Sequence, residues 1–252
     1  MSPKDAARPR RIGLVVIDND PIPELEIRPT DGVNASVVAT RFLLNRAPGK
    51  IYLGEGRQDD VPPEILGSLE QLDRIGVDAV GLCFTSSSVF APATFDHLFV
   101  DAAQRVNDQW TVATAARSII DALITAGSSR PFIVAPPWFS DQTVHAVIEY
   151  LDYHGISNSG WHRYQLGPEW ADIKQQDLFD RGAAWDIDPS DLVNQVTRSI
   201  SPSSDAVLVP GSGFRSTNAQ DELQCLAQMP VISANSALKQ TLFASERSAL
   251  HG

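Results

Sequence analysis

The segment Asp78-Ala79-Val80-Gly81-Leu82-Cys83-Phe84-Thr85-Ser86-Ser87-Ser88 has a counterpart in Asp205-Ala206-Val207-Leu208-Val209-Pro210-Gly211-Ser212-Gly213-Phe214. Each begins with an apolar run without alternating polar residues, which is typical of a strand buried in a parallel sheet. Each continues into small and hydroxyl-bearing residues, and the backbone N–H groups of such loops can bind anions. We therefore expect two buried parallel strands, each followed by an anion-binding loop.

The rest of the chain alternates between strand and helix patterns. Eight segments are predicted to be strands: Arg11–Ile17, Ser36–Thr40, Asp78–Cys83, Thr111–Thr114, Pro131–Ala135, Gly160–Tyr164, Asp205–Val209 and Pro230–Ser233. Apolar residues at helical spacing predict seven helices: Pro62–Ile75, Ala91–Val106, Ala115–Ala126, Ser140–Tyr153, Pro189–Ile200, Ala219–Ala227 and Ala234–Leu250. Strands that alternate with helices of about 10–15 residues predict an α/β fold with parallel sheets. The charged pair Asp59-Asp60 and the stretch Trp170–Asp191 are predicted to be solvated surface and loop.

The two parts of the chain also resemble each other. Besides the paired segments, Thr111-Val112-Ala113-Thr114 is similar to Pro230-Val231-Ile232-Ser233, in the same order along the chain. This predicts two similar Rossmann-like halves related by a pseudo-twofold axis, with residues 1–113 and 234–252 in the first half and 114–233 in the second. The alternative is that any two buried strands look alike. Because ligands of open parallel sheets bind beyond the carboxyl ends of the strands, we expect the site between the halves.

The charge balance limits the partners of the protein. The 252 residues carry a formal net charge of −11. Nucleic acids and anionic membranes are bound by basic surfaces, and no apolar run approaches the roughly 18 residues of a membrane span, so neither is an expected partner. A local cradle of N–H groups can still bind a small carboxylic acid. Whether the chain forms a homo-oligomer is left open.

Cysteine and histidine content indicates the compartment and the kind of site. The chain has two cysteines, too few for a disulfide framework, which suits a reducing cytoplasm. Its five histidines show no paired spacing such as HExxH, so no metal site is predicted. Cys225 lies in a helical stretch between apolar neighbours and is predicted to pack in the core.

Two residues at predicted strand ends are candidates for proton transfer or nucleophilic attack. Cys83 ends its strand near the start of a helix, where unpaired N–H groups can lower the pKa of a thiol. A buried structural cysteine is the alternative. Asp20 follows the first strand, where a substrate-facing loop is expected, and could be a general base or a simple turn residue.

The loops after the paired strands are candidates for carboxylate binding. Thr85 and Ser86 offer hydroxyl and N–H donors, and Ser212 and Gly213 offer the same from the other half. Together they could bind a carboxylate and stabilise the extra negative charge of an enediolate. Helix capping is an alternative role for these residues, and it is compatible with anion binding.

These segments together resemble the aspartate/glutamate/hydantoin racemase superfamily, in particular its branch of arylmalonate decarboxylases and maleate cis-trans isomerases. The matching segments span nearly the whole chain: Ile12–Val16, Thr85-Ser86, Thr114-Ala115, Pro210–Phe214 and Pro230–Ser233. The resemblance implies two α/β halves with a cofactor-free site between them. It also implies a reaction next to a carboxylate, through an enediolate or a cysteine adduct.

The resemblance implies two cysteine positions, and this sequence does not clearly have a cysteine at either of them. When the sequences are aligned on Thr85-Ser86, the first cysteine of the decarboxylase and isomerase branch corresponds to Phe84. When they are aligned on the racemase motif Cys-Asn-Thr, it corresponds to Cys83. Successive strand side chains point to opposite faces, so the alignments disagree on whether the Cys83 thiol enters the cleft. The second cysteine of the family corresponds to Gly211, beside Ser212.

Two further positions differ from the family pattern. A tyrosine that holds the carboxylate in the decarboxylase corresponds to Trp138, and an asparagine in the first loop of the isomerase corresponds to Asp20. Phe84 and Trp138 make the implied site more apolar, which suits decarboxylation or an aromatic substrate. The resulting candidates are Cys83, Ser212 and Asp20 for catalysis, with Phe84, Thr85, Ser86, Trp138, Gly211 and Gly213 for substrate binding.

Two classes of function compete at this point. The first is a cofactor-independent lyase, similar to arylmalonate decarboxylase, acting on a malonate or dicarboxylate-type acid; an isomerase similar to maleate isomerase or to the racemases is its variant. This class predicts that Cys83→Ala abolishes turnover. The second is a carboxylate-binding protein, or a hydratase that uses Asp20 or Ser212, and it is motivated by the unfilled cysteine positions.

Overall fold

Two four-stranded parallel sheets form the framework of residues 8–44 and 61–244, which are the residues described by this computed structural model. The first sheet has the order β2-β1-β3-β4 and contains β1 (Arg10–Ile17), β2 (Ala35–Phe42), β3 (Ala79–Leu82) and β4 (Thr111–Thr114). The second has the order β6-β5-β7-β8 and contains β5 (Pro131–Ala135), β6 (Trp161–Arg163), β7 (Ala206–Val209) and β8 (Val231–Ser233). Both sheets repeat one strand order, and the predicted α/β fold with its eight strands is confirmed.

Helices flank both sheets. They are α1 (Ile22–Glu26), α2 (Pro63–Ile75), α3 (Thr85–Val89), α4 (Phe95–Val106), α5 (Ala115–Thr125), α6 (Asp141–Tyr153), α7 (Pro189–Ser199), α8 (Thr217–Ala227) and α9 (Ala234–Phe243). The seven predicted helices are present, and the last predicted range, Ala234–Leu250, extends beyond the described residues. The short helices α1 and α3 were not predicted, because each has only five residues and no helical period can be read over so short a span.

A segment predicted as solvated loop, Trp170–Asp191, is more ordered than expected. It lies in a connection with three 3-10 turns, Pro168–Trp170, Gln175–Asp177 and Ala183–Asp186, before α7 begins. Ala183 and Ala184 are buried, so the connection packs onto the protein. The pair Asp59-Asp60, predicted to be solvated, lies outside the described residues.

Helix α9 follows the last strand of the second sheet but packs on the first sheet. A methyl group added to Gly81 of β3 would lie 2.8 Å from Leu242 Cδ1 and 3.1 Å from Leu238 Cδ2. Only glycine at this strand position lets the helix approach so closely. The division into residues 1–113 with 234–252, and 114–233, stays a prediction.

The two halves are joined by a carboxylate that accepts hydrogen bonds from both. Asp96 of α4 accepts a hydrogen bond from the Tyr150 hydroxyl of α6 at 2.6 Å and from the Ser88 hydroxyl at 2.7 Å. The Thr114 hydroxyl donates to the same carboxylate. Hydrogen bonds to charged groups are the stronger ones in proteins, so this cluster fixes the second half against the first. Within the described residues, no helix is long and apolar enough to cross a membrane.

Candidate functional site

A cavity of about 90 Å³ lies between the two halves, beyond the carboxyl ends of the strands. Its walls come from both halves. They are Ile17, Asp20, Leu44, Phe84, Thr85 and Ser86 from the first, and Trp138, Phe139, Thr143, Gln176, Phe179, Gly211, Ser212 and Gly213 from the second. Of the nine residues predicted from the sequence, eight line this cavity, and Cys83 does not.

The loops that follow β3 and β7 meet at this cavity. Thr85 and Ser86 begin α3 directly after β3, and the first turn of a helix leaves N–H groups without intrahelical partners. Ser212 follows β7, and its hydroxyl donates a hydrogen bond to the Cys83 carbonyl oxygen at 2.8 Å. This bond crosses between the halves and holds the second loop against the first. The Ser212 hydroxyl proton is thereby committed to a backbone acceptor.

A buried amide supports the second loop from behind. Asn235 is 1% exposed, and its Nδ2 donates to the Ser212 carbonyl oxygen at 2.8 Å and to Glu26 at 2.7 Å. The other oxygen of Glu26 accepts the backbone N–H groups of Ser216 and Thr217. Glu26 and Asn235 thus position the loop without lining the cavity. Nothing in the sequence singled them out, because the contact joins residues that are distant along the chain.

Asp20 is almost completely enclosed at the edge of the cavity, with 1% of its surface exposed. Its Oδ1 accepts the backbone N–H of Ile22 at 3.0 Å. The pKa of this carboxyl is raised from 3.8 to about 7, mainly by burial and in part by the nearby carboxylates of Glu26 and Glu24, while the Ile22 N–H and the Arg41 guanidinium oppose the shift. At neutral pH a substantial fraction of the molecules therefore carries a proton on Asp20.

Aromatic side chains form much of the apolar lining of the cavity. The ring centroids of Trp138 and Phe179 are 5.0 Å apart, and those of Trp138 and Phe214 are 6.2 Å apart. Phe179 belongs to the connection that was predicted to be a solvated loop, and it closes the cavity. Two hydrogen bonds fix this connection: Gln175 Nε2 to the Phe139 carbonyl oxygen at 2.7 Å, and Asn19 Nδ2 to Asp180 at 3.0 Å.

Cys83 lies on the other side of its strand end from the cavity. Its side chain is fully buried in the core cluster that also contains Leu14 and Leu238. Burial raises the pKa of the thiol well above its usual value, and the charges of Asp20 and Glu24 add to this effect. The neighbouring residue Phe84 is the one that lines the cavity.

Cys225 is exposed, so its predicted packing in the core is wrong. The buried residues of α8 are Ala219 and Leu223, which lie four residues apart on one face. Cys225 is two residues beyond Leu223, and a helix turns about 200° over two residues, so its side chain points outward. Apolar neighbours on both sides in the sequence did not identify the buried face.

The two thiols are expected to differ in reactivity. Iodoacetamide applied to the native protein should modify Cys225 and leave Cys83 unmodified, because the reactive species is an accessible thiolate. Intact-mass and peptide mass spectrometry would count and locate the adducts, with the denatured protein, in which both thiols react, as the control. Rapid modification of Cys83 in the native protein would contradict its placement in the core.

The chain is similar to known proteins in both sequence family and structure. The family model of arylmalonate decarboxylase matches residues 55–245. Unliganded arylmalonate decarboxylase is similar in structure, with a TM-score of 0.71, 18% sequence identity, and coverage of 96% of this chain and 94% of that chain. No curated protein sequence matches.

Maleate isomerases have the same fold. The maleate isomerase Iso from Pseudomonas putida S16 has a TM-score of 0.73 and 18% identity, over 95% of this chain and 94% of that chain. The maleate cis-trans isomerase of Nocardia farcinica, solved with a covalently bound succinylcysteine intermediate, has a TM-score of 0.70 and 19% identity, over 94% and 93% of the two chains. At such identities the structural likeness establishes the fold, and the family model establishes membership. The chain belongs to the arylmalonate decarboxylase family, within the branch of the aspartate/glutamate racemase superfamily that its sequence resembles.

Proposed function

We propose that this protein is a cofactor-independent lyase that releases CO2 from a malonate-type acid with an aromatic or other apolar substituent. The observation that carries the proposal is the mixed lining of the cavity. The hydroxyl and N–H groups of Thr85 and Ser86 and the N–H group of Ser212 line it together with the rings of Phe84 and Trp138. A substrate with two carboxylates and an apolar group matches this combination.

The hydrogen-bond donors suit the carboxylate that is retained. The hydroxyl and N–H groups of Thr85 and Ser86 and the backbone N–H groups of the Ser212 loop would hold it and stabilise the negative charge that develops on it as the neighbouring bond breaks. The donors lie in loops that follow strands of both sheets, and the Ser212 hydrogen bond joins these loops, so they need little rearrangement during the reaction. Asn235 keeps the Ser212 loop in place through its carbonyl oxygen.

The aromatic side chains of the lining suit the carboxylate that is lost. A carboxylate removed from water is costly, and its departure as neutral CO2 relieves that cost. The bond between the central carbon and this carboxylate breaks, and its electron pair spreads into the retained carboxylate as an enediolate. A proton added to the central carbon then completes the reaction.

A cis-trans isomerase working through a cysteine adduct is less well supported. That chemistry requires a thiol within reach of the alkene carbon. No cysteine is among the described residues that line the cavity, and Cys83 is buried in the core. This observation favours release of CO2 over isomerisation.

The test is an assay for CO2 with a panel of acids. The purified protein is mixed with phenylmalonate, alkylmalonates and maleate, and CO2 and organic products are quantified together. We expect one CO2 and one arylacetate per phenylmalonate consumed. Conversion of maleate to fumarate without CO2 would identify an isomerase instead. Binding in a thermal-shift assay without any turnover would identify a carboxylate-binding protein.

A further inference from the structure

We propose that the side-chain carboxyl of Asp20 delivers the proton to the central carbon, so that the reaction proceeds without a cysteine. The inference rests on the proposed function and adds to it the identity of the acid. It stands on three observations: the orientation of Asp20, the absence of competing acids in the described cavity wall, and the apolar enclosure of the carboxyl.

The orientation of Asp20 leaves one oxygen available. Oδ1 accepts the Ile22 N–H at 3.0 Å, so the proton of the neutral carboxyl resides on Oδ2. A methyl group added to Gly213 would lie 3.1 Å from Oδ2. Oδ2 therefore faces the loop of the second half, beside the donors that would hold the retained carboxylate. The Phe179 ring lies 2.6 Å from the same added methyl group, so Oδ2 and this ring lie side by side against Gly213 at the edge of the cavity.

Competing acids are missing from the described part of the cavity wall. Among the described lining residues, Asp20 is the one with a side chain that titrates near neutral pH. The Ser212 hydroxyl donates to the Cys83 carbonyl oxygen, and the Cys83 thiol is in the core. Gly211 has no side chain, and the ring of Pro136 fills the space where one would begin, with Pro136 Cγ 2.5 Å from an added Cβ.

The surroundings of Asp20 keep the proton available. Burial is the main cause of its raised pKa of about 7, and Glu26 and Glu24 act in the same direction. The Arg41 guanidinium opposes them, and it is also engaged with Glu24 and with the backbone carbonyl of Asp20. On the side of the second half, Asp180 is hydrogen-bonded to Asn19, and no titratable side chain of that half is among the described lining residues.

The step balances with water as the final proton source. The carbon–carbon bond to the departing carboxylate breaks, CO2 leaves, and the electron pair remains as the enediolate. The Oδ2–H bond of Asp20 then breaks, a carbon–hydrogen bond forms, and the Asp20 carboxylate remains. It is reprotonated from solvent before the next turnover, so one proton from water is consumed for each CO2 released.

The test compares Asp20→Asn with Asp18→Asn. Asparagine has the same shape and keeps the acceptor for the Ile22 N–H but has no acidic proton. Asp18 is exposed on the same loop and provides the matched control. We expect Asp20→Asn to lower kcat for phenylmalonate by roughly 100-fold or more, the usual range for a lost general acid, with KM changed by less than about threefold. Asp18→Asn should behave as the unmodified protein.

The pH profile separates a proton donor from a residue with only a structural role. A donor must be protonated, so kcat/KM of the unmodified protein should fall about tenfold per pH unit above the pKa of about 7. The residual activity of Asp20→Asn should lack this fall. An unchanged rate, or the same alkaline fall in Asp20→Asn, would overturn the assignment while leaving the lyase proposal intact.

A second readout separates failure of this inference from failure of the lyase proposal. Exchange of the α-hydrogens of phenylacetate in D2O reports proton transfer at carbon without CO2 release. Exchange that depends on Asp20, with no CO2 from any malonate, would refute the lyase and keep Asp20 as the proton carrier. A protein that catalyses neither exchange nor CO2 release would refute both.

Discussion

Replacing Asp20 with asparagine is expected to stabilise the fold at alkaline pH, even though it removes activity. The folded protein keeps the Asp20 proton up to a pKa of about 7, whereas the unfolded chain loses it near 3.8. Stability contributed by this proton is complete below pH 4 and is lost as the pH rises through 7. Asparagine carries no titrating proton and avoids this loss. Relative to the unmodified protein, the free energy of unfolding of Asp20→Asn should rise by about 2 kcal/mol between pH 5.5 and 8.5.

Urea unfolding at the two pH values would measure this difference. Comparing changes with pH removes any effect of the substitution that does not depend on pH. Asp18→Asn, with its exposed side chain, should follow the unmodified protein at both pH values. If the free energies of unfolding of Asp20→Asn and of the unmodified protein change by the same amount between pH 5.5 and 8.5, Asp20 does not hold its proton in the folded state.

Gly213→Ala should abolish most turnover while leaving the protein folded. The added methyl group would lie 2.6 Å from Phe179 Cε2 and 3.1 Å from Asp20 Oδ2, within a cavity of about 90 Å³. It therefore pushes against both the Phe179 ring and the Asp20 carboxyl at the edge of the cavity. Small displacements of reacting groups cost large factors in rate, and we expect a fall in kcat/KM of roughly 100-fold. Both close contacts are with the ends of side chains, so the cost in stability should stay near the 1–3 kcal/mol of overpacking.

Gly67→Ala is the matched control for this substitution. Gly67 lies within α2, away from the cavity, and an added methyl group meets nothing within 4 Å. In a helix interior, alanine is favoured over glycine by about 0.5–1 kcal/mol, so this variant should be slightly more stable and have unchanged kinetics. Equal kinetics of Gly213→Ala and Gly67→Ala would show that the reaction does not depend on the placement of the Asp20 carboxyl beside Gly213.

The framework of the fold could be predicted because buried parallel strands leave a strong local pattern. The central strands β1, β3, β5 and β7 are built around continuous apolar runs, and the loops after β3 and β7 stand out by their hydroxyl residues. The similarity of the β3 and β7 segments predicted two halves that face each other, and Ser86 and Ser212 accordingly line one cavity. That part of the site needed no knowledge of side-chain packing.

The remaining features depend on packing between distant segments. A shift of one residue at the end of the strand decides whether Cys83 or Phe84 faces the cavity. The sequence was compatible with both alignments. Burial of Asp20 arises from its contact with the Gly213 loop across the halves, and locally it looks like a turn residue. Phe179 reaches the cavity from a connection whose polar composition suggested exposed loop.

A buried proton donor such as Asp20 lowers the stability of the folded protein and at the same time serves the reaction. A carboxyl in an apolar enclosure disfavours its charged form, which weakens the fold as the pH rises, and the same enclosure keeps the proton for transfer at neutral pH. The two effects have one cause, the desolvation of Asp20, and should therefore change together in every variant of this site.

The direct measurement is the titration of the Asp20 carboxyl by carbon-13 NMR, with Asp20→Asn used to assign the resonance. Our account predicts a midpoint near pH 7 that coincides with the alkaline fall in kcat/KM. A midpoint near 4, the ordinary value for an exposed aspartate, would contradict it, because the group would then hold no proton to transfer at neutral pH.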